Sequence, residues 1–371
     1  MTDPRVKKLA QVLVNYSLEL QPGEQFYLQT GPLANELSLA VYEEAVKAGA
    51  HVFTRCAIPG TDEIFFKYAR DEQLDYVSPL ITYIVENFNA HLIIGADENT
   101  RALSAVDSTR QQRASRASAA LFSTMLERIA RRDYKWCYTV YPTNAYAMEA
   151  DMSLSDYRDF VFQAGLLHLD DPVEAWRQEG ERQRRIIGWL DGRDQVTIKG
   201  ANIDLRLSIK GRRFVGASGK ENFPDGEVFT GPVEESVNGW VRFSYPAIFS
   251  GREVTNIELW FEDGKVVKEQ ADKGGELLTG LLNTDSGARY LGEWGIGTNY
   301  GIQRFTKNML FDEKIGGTIH LAVGASLRET GGQNESGLHW DMLCDMAESE
   351  IVIDGDLFYK NGKFVPGVLG E

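Results

Sequence analysis

Gln25-Phe26-Tyr27-Leu28-Gln29-Thr30 and His51-Val52-Phe53-Thr54-Arg55-Cys56 bracket a segment, Leu33 to Ala48, whose apolar residues recur at helical spacing and stop at Gly49. Two β-rich runs joined by an amphipathic helix form a βαβ unit, and such a crossover joins parallel strands. Further along, His91 to Ala96 and Trp136 to Val140 repeat the β signature. Between them Ser104 to Arg131 reads as a long helix, with Arg110, Arg113, Arg116, Arg128 and Arg131 on a solvated face. The alternation predicts an open, mostly parallel sheet covered by helices. Two more helices, Leu154 to Gly165 and Pro172 to Leu190, close this half, which is read as an α/β domain over residues 1–192.

From residue 193 onward the period changes from helical to alternating. Val196 to Lys199, Ile203 to Ile209, Gly239 to Tyr245, Val254 to Phe261 and Lys265 to Glu269 read as strands separated by glycine-rich turns, with Asp263-Gly264 a hairpin signal. Gly274 to Asn283 returns to helix. Glycine-punctuated loops follow, then the late strands Thr318 to Val323 and His339 to Leu343, and a hairpin over Ile351 to Val365 around Lys360-Asn361-Gly362. Residues 193–371 are therefore expected to form a β-rich α+β domain.

The chain has 371 residues, enough for two domains with ample cores. Its formal charge of −15 opposes binding to a phosphate backbone, whose affinity rests on Lys and Arg releasing counterions, so nucleic acid is not an expected partner. No apolar run is long enough to span a bilayer, which argues against a membrane partner. The first residues run directly into an amphipathic pattern without the apolar core of a secretory signal, and a cytoplasmic location is expected. Cys56, Cys137 and Cys344 have no patterned spacing and are expected to be buried thiols.

Chemistry concentrates in the second half. His339-Trp340-Asp341 places an imidazole and a carboxylate two residues apart, on one face if the run is a strand, and this pair suits a divalent cation such as zinc. In Phe223-Pro224-Asp225-Gly226-Glu227-Val228-Phe229-Thr230, turn residues deliver Glu227 to the start of a β-like run. In Gly287-Ala288-Arg289-Tyr290-Leu291-Gly292-Glu293-Trp294, Gly292 permits close backbone approach, and Glu293 among apolar neighbours needs a partner. His320 sits in the apolar run Thr318-Ile319-His320-Leu321-Ala322-Val323-Gly324. Each has a plain alternative: a turn carboxylate, a satisfied core histidine, a His–Asp pair at a strand end. Taken together, two Glu, two His and one Asp could hold two metals, with one carboxylate bridging. Such ions lower the pKa of a shared water, orient a carbonyl and stabilise an oxyanion. His51, His91 and His168 are better explained by packing or capping.

The order and spacing of these elements resemble the thermophilic metalloaminopeptidases of the aminopeptidase T and aminopeptidase S type. The likeness rests on Gly226-Glu227-Val228-Phe229-Thr230, Leu291-Gly292-Glu293, His320-x-Ala322-x-Gly324 and Asn334-x-Ser336-x-x-His339-x-Asp341, and extends less specifically through Gln21-Pro22-Gly23-Glu24 and Ala45 to Ala50. The resemblance implies that Glu227, Glu293, His320, His339 and Asp341 are metal ligands, with Glu293 the bridge. It further implies two divalent ions (zinc, cobalt, manganese or magnesium), short peptide substrates and a homodimer. It leaves the general base unassigned; Glu313, in Asp312-Glu313-Lys314, reads as a group that supports the ligands from behind, as a proton carrier or, equally, as a solvated turn residue. One position departs from the pattern: Leu327 stands where the family has a Tyr, and a leucine cannot supply a phenolic hydrogen bond.

Two other readings follow from the sequence. The α/β half could bind a nucleotide at its strand ends, although no G-x-G-x-x-G or Lys-Ser/Thr phosphate loop is present. Alternatively, the Leu327 departure could mark a non-catalytic relative that keeps its metals.

Overall fold

The computed structural model describes residues 3–249 and 251–370. It divides into two compact units, Met1–Glu174 with Gly219–Pro224, and Ala175–Ser218 with Asp225–Glu371.

In the first unit the strands Gln25–Thr30 and His51–Cys56 flank the helix Asn35–Lys47, as the periodicity requires. The sheet has five strands in the order His51–Cys56, Gln25–Thr30, Ala90–Gly95, Lys135–Val140 and Asn222–Phe223. All four pairings are parallel. Helices cover it, and the predicted α/β class holds.

Two local expectations fail here. The segment Ser104 to Arg131 is two helices, Ser108–Ala117 and Ala119–Ala130, and while Arg116 and Arg131 are exposed as expected, Arg110 and Arg128 are only partly so. Arg110 donates to the Phe66 carbonyl at 2.6 Å, and Arg128 to the carbonyls of Val85 and Phe88 at 2.7 and 2.9 Å. These carbonyls lie at the C-terminal ends of the helices Thr61–Tyr68 and Pro79–Asn87, where no intrahelical donor remains. Cys56 is exposed rather than buried, because its strand is the sheet edge and faces solvent along most of its length.

The second unit is antiparallel and β-rich. An eight-stranded sheet runs from Lys265–Gln270 to Lys363–Phe364. A five-stranded sheet is ordered His339–Asp345, Thr318–Gly324, Leu291–Gly297, Glu227–Thr230 and Val215–Ala217. The helix Pro172–Leu190, which periodicity attaches to the first half, packs here: Ile186 and Leu190 join Val196, Leu205, Ile296 and Ile351 in one buried core. The boundary between units thus falls at the start of that helix, because its apolar stripe needs this core. Asp263 and Gly264 both have positive φ, as a tight hairpin demands. Among the described residues, no helix is long and apolar enough to cross a membrane.

Candidate metal centre

The five-stranded sheet brings the five predicted ligands together. Across neighbouring strands Glu293 is opposite Ala322 and Ala322 opposite Asp341; His320 is opposite Gly295, His339 opposite Gly324, and Glu227 opposite Gly297. Residues opposite one another, or two apart along a strand, share a face. All five side chains therefore belong to one face of the sheet. A register shift between Leu291 and Glu293 locally re-aims the bridge candidate.

They form two triads that share Glu293. One is buried, Glu227, Glu293 and His320; the other, Glu293, His339 and Asp341, opens to solvent, and within each triad one potential ligand atom per residue lies within 4.8 Å of the others. His320 Nε2 lies 3.2 Å from Glu227 Oε2 and 3.4 Å from Glu293 Oε1, while His339 Nε2 lies 3.2 Å from Glu293 Oε2 and 3.5 Å from Asp341 Oδ2. Glu227 Oε2, both His320 nitrogens and Asp341 Oδ1 are buried without a hydrogen-bond partner. Orphaned polar atoms of this kind are costly unless something else satisfies them, and here they converge. His339 Nδ1 is 2.8 Å from the Ala325 carbonyl. A carbonyl only accepts, so Nδ1 is the donor and a neutral His339 keeps its Nε2 lone pair for a ligand.

Lys314, to which the sequence reading assigned no role, completes the cluster. Its side chain is fully buried, and Nζ sits 3.0 Å from Glu227 Oε1 and also pairs with Glu313. The ammonium occupies one oxygen of Glu227 and leaves the other facing His320. Its backbone is held because the Asn299 N–H donates to the Lys314 carbonyl at 3.0 Å. The Asn299 amide also reaches the Asp225 carbonyl at 2.8 Å. Burial disfavours a charged lysine, but Glu227 and Glu313 outweigh it and hold Lys314 protonated. Only an unpatterned Lys in a charged turn marked this residue in the sequence.

Glu227 and Glu313 thus share one lysine, while Glu293 and Asp341 face only the histidines. Without further cations the histidines take up the deficit. Burial opposes their charge, yet the neighbouring carboxylates push His320 up to about 9 and His339 up to about 11. Burial also pushes Glu227 up to about 8, against the pull of Lys314. Burial would raise Glu293, but the two imidazoles hold it down to about 2. Divalent cations would replace these protons, and the donor set of three carboxylates and two imidazoles suits them.

Glycines make room for this arrangement. A Cβ on Gly295 would lie 1.9 Å from His320 Nε2, so the imidazole occupies the space above a residue with no side chain. At Gly292 a Cβ would meet the carbonyls of Gly324 and Ala325 at 2.4 Å. Gly295→Ala is expected to displace His320, lower the amount of bound metal, and cost about 1–3 kcal/mol from overpacking. Metal analysis and urea unfolding of the variant check this; full metal content would contradict it. Leu327 lies in the loop after the strand Thr318–Gly324, where its carbonyl accepts from Thr330.

The thermophilic metalloprotease family (M29) matches residues 2–364. The chain belongs to that family. As such it is a metalloaminopeptidase, a hydrolase of peptide bonds. It is 28% identical to aminopeptidase 2 of Geobacillus stearothermophilus, with 98% of this chain and 96% of the relative covered. It is also 28% identical to aminopeptidase T of Thermus thermophilus, over 97% of this chain and 96% of the relative. The solved structure of wild-type AmpT from Thermus thermophilus superposes with a TM-score of 0.83 at 24% identity, covering 98% of the metalloaminopeptidase described here and 99% of AmpT. That likeness establishes the fold.

Proposed function

We propose that this metalloaminopeptidase removes N-terminal residues from short peptides at a dinuclear site formed by Glu227, Glu293, His320, His339 and Asp341. The observation that carries this reading is the pair of triads sharing Glu293 on one sheet face. Two divalent ions held there would polarise the scissile carbonyl and lower the pKa of a shared water. Glu293 would bridge, Glu227 and His320 would hold the enclosed ion, and His339 and Asp341 the one that substrate reaches. Lys314 would fix Glu227, and the Ala325 carbonyl would fix the His339 ring.

Glu313 fits the proton carrier. Burial raises its pKa, Asp341 raises it further, and Lys314 and His320 pull the other way, yet it belongs to neither triad. A carboxyl above its ordinary range is suited to take a proton from water and return it to the leaving amine. Glu313→Gln is expected to lower kcat about a hundredfold while keeping both ions; unchanged kcat would remove the role.

Metal uptake should depend on pH with a definite sign. In the metal-free protein His320, His339 and Glu227 keep their protons to pH values of about 9, 11 and 8. Ligation needs these atoms bare, so loading at pH 7 should expel roughly 2–3 protons, and affinity should rise between pH 6 and 8. Calorimetry in buffers of different ionisation enthalpy measures the count; zero release would contradict the ligand set.

A nucleotide-binding reading of the first unit finds no support. The crevice at the carboxyl ends of Gln25–Thr30 and Ala90–Gly95, ≈ 810 Å³, is lined by Asp62, Glu63, Asp97 and Glu98, which would repel phosphate. The homodimer that the family resemblance implies is part of the same proposal.

The direct test is release of free amino acid from unblocked and N-acetylated peptides, by protein stripped of metal and refilled with zinc, cobalt, manganese or magnesium. Metal-restored release from unblocked peptides alone is the expected result. No release by folded protein that retains two ions would favour the non-catalytic reading, to which Leu327 points.

A further inference from the structure

The first unit contains a second cavity, of ≈ 320 Å³, that the peptidase reading does not use. It lies where the strands Gln25–Thr30 and Ala90–Gly95 meet the helices Pro79–Asn87 and Ala119–Ala130. Its wall is mostly apolar, with Ile84, Val85, Leu121 and Met125 contributing.

Three polar atoms break that wall. Tyr27 Oη, His91 Nε2 and Tyr134 Oη are all buried, and none has a hydrogen-bond partner. Their side chains are 2%, 9% and 1% exposed and line the same cavity. Tyr27 and His91 are opposite one another in the sheet and stack at 4.6 Å between ring centroids. Tyr134 meets His91 edge-on at 6.3 Å. Burial pushes His91 down to about 4, so the imidazole is neutral and contributes one N–H rather than a charge. Packing alone does not account for the set, since phenylalanine would fill the same space without leaving an orphaned hydroxyl. Arg55, exposed and without an ion-pair partner among the described residues, also lines the cavity. An apolar pocket with a few convergent polar groups is the usual form of a small-molecule site, and this volume suits roughly 10–15 non-hydrogen atoms.

We propose that this cavity binds a small carboxylate with an apolar body, its oxygens meeting the hydroxyls of Tyr27 and Tyr134 and the Arg55 guanidinium. Two phenols and a guanidinium offer donors, which an acceptor-rich head group satisfies together. The aliphatic wall takes the body.

The test uses three probes sharing one phenylpropyl body: 3-phenylpropionate, 3-phenylpropanol and 3-phenylpropylamine. They are titrated into the full-length metal-loaded protein and into its Glu293→Ala variant, with binding followed by calorimetry and saturation-transfer NMR. The expected result is one carboxylate per chain in both proteins, at least tenfold tighter than the alcohol, with no amine binding. Persistence in Glu293→Ala separates this cavity from the metal centre, which could itself hold a carboxylate. Tyr134→Phe and Arg55→Gln should each weaken the carboxylate at least fivefold, and Leu121→Trp should abolish binding by filling the cavity, all without changing peptide hydrolysis. Equal affinity for the three probes, binding lost in Glu293→Ala, binding indifferent to these variants, or no binding by any probe would each overturn the assignment.

Discussion

With the proposed dinuclear site, Glu293→Ala should strip the protein of both ions and reduce amino-acid release to background. Glu293 is the residue common to the two triads, with one oxygen 3.4 Å from His320 Nε2 and the other 3.2 Å from His339 Nε2. Removing it leaves each site with two protein ligands, fewer than catalytic zinc sites normally retain. The neighbouring substitutions give the contrast. Glu227→Ala removes a ligand of the enclosed triad only, and Asp341→Ala a ligand of the open triad only, so each should retain about one ion while activity falls. Metal content by mass spectrometry across the three variants reads the topology of the site, not merely its existence. Two ions and full activity in Glu293→Ala would end the bridging assignment.

Above about pH 8, where the Glu227 carboxyl is ionised, Lys314→Met should cost the metal-free protein about 3–5 kcal/mol, the penalty for breaking one partner out of a buried ion pair. The ammonium is fully buried, 3.0 Å from Glu227, and it also pairs with Glu313. Methionine keeps much of the volume but leaves the Glu227 carboxylate without its nearest cation. Urea unfolding of the metal-free variant measures the loss. Two further results distinguish charge from packing: adding Glu227→Gln should recover much of the stability, and loading with metal should shrink the deficit, because an ion restores positive charge beside Glu227. An unfolding midpoint equal to that of the unsubstituted protein would refute the role of Lys314.

The βαβ unit over residues 25–56 was legible because the two periods, 2 and 3.6, are local properties of the chain, and the parallel sheet follows from them. The two histidines and three carboxylates were legible because turn residues and His-x-Asp spacing flank them. The strand Leu291–Gly297 was not. It reads as a glycine-punctuated loop, since Gly292, Gly295 and Gly297 deny it the β-branched signature. Those glycines serve neighbours remote in sequence: Gly295 makes room for the His320 ring, and at Gly297 a Cβ would lie 2.0 Å from the Ile315 carbonyl. Close approach between strands, which no local pattern encodes, sets the composition of the strand that carries Glu293.

Arg110 and Arg128 teach the same lesson from the surface, where spacing suggested solvent and the structure supplies helix-terminal carbonyls as partners.

By itself the sequence determined the class of each half and the identity of the five candidate ligands, because periodicity and residue chemistry are readable one position at a time. Only the tertiary structure decided that the five candidate ligands share one face, that Glu293 stands in both triads, that Lys314 and not solvent contacts Glu227, and that Tyr27, His91 and Tyr134 line one cavity. Each of these is a through-space relation between segments far apart in the chain. It is set by strand register and by the packing of helices on sheets.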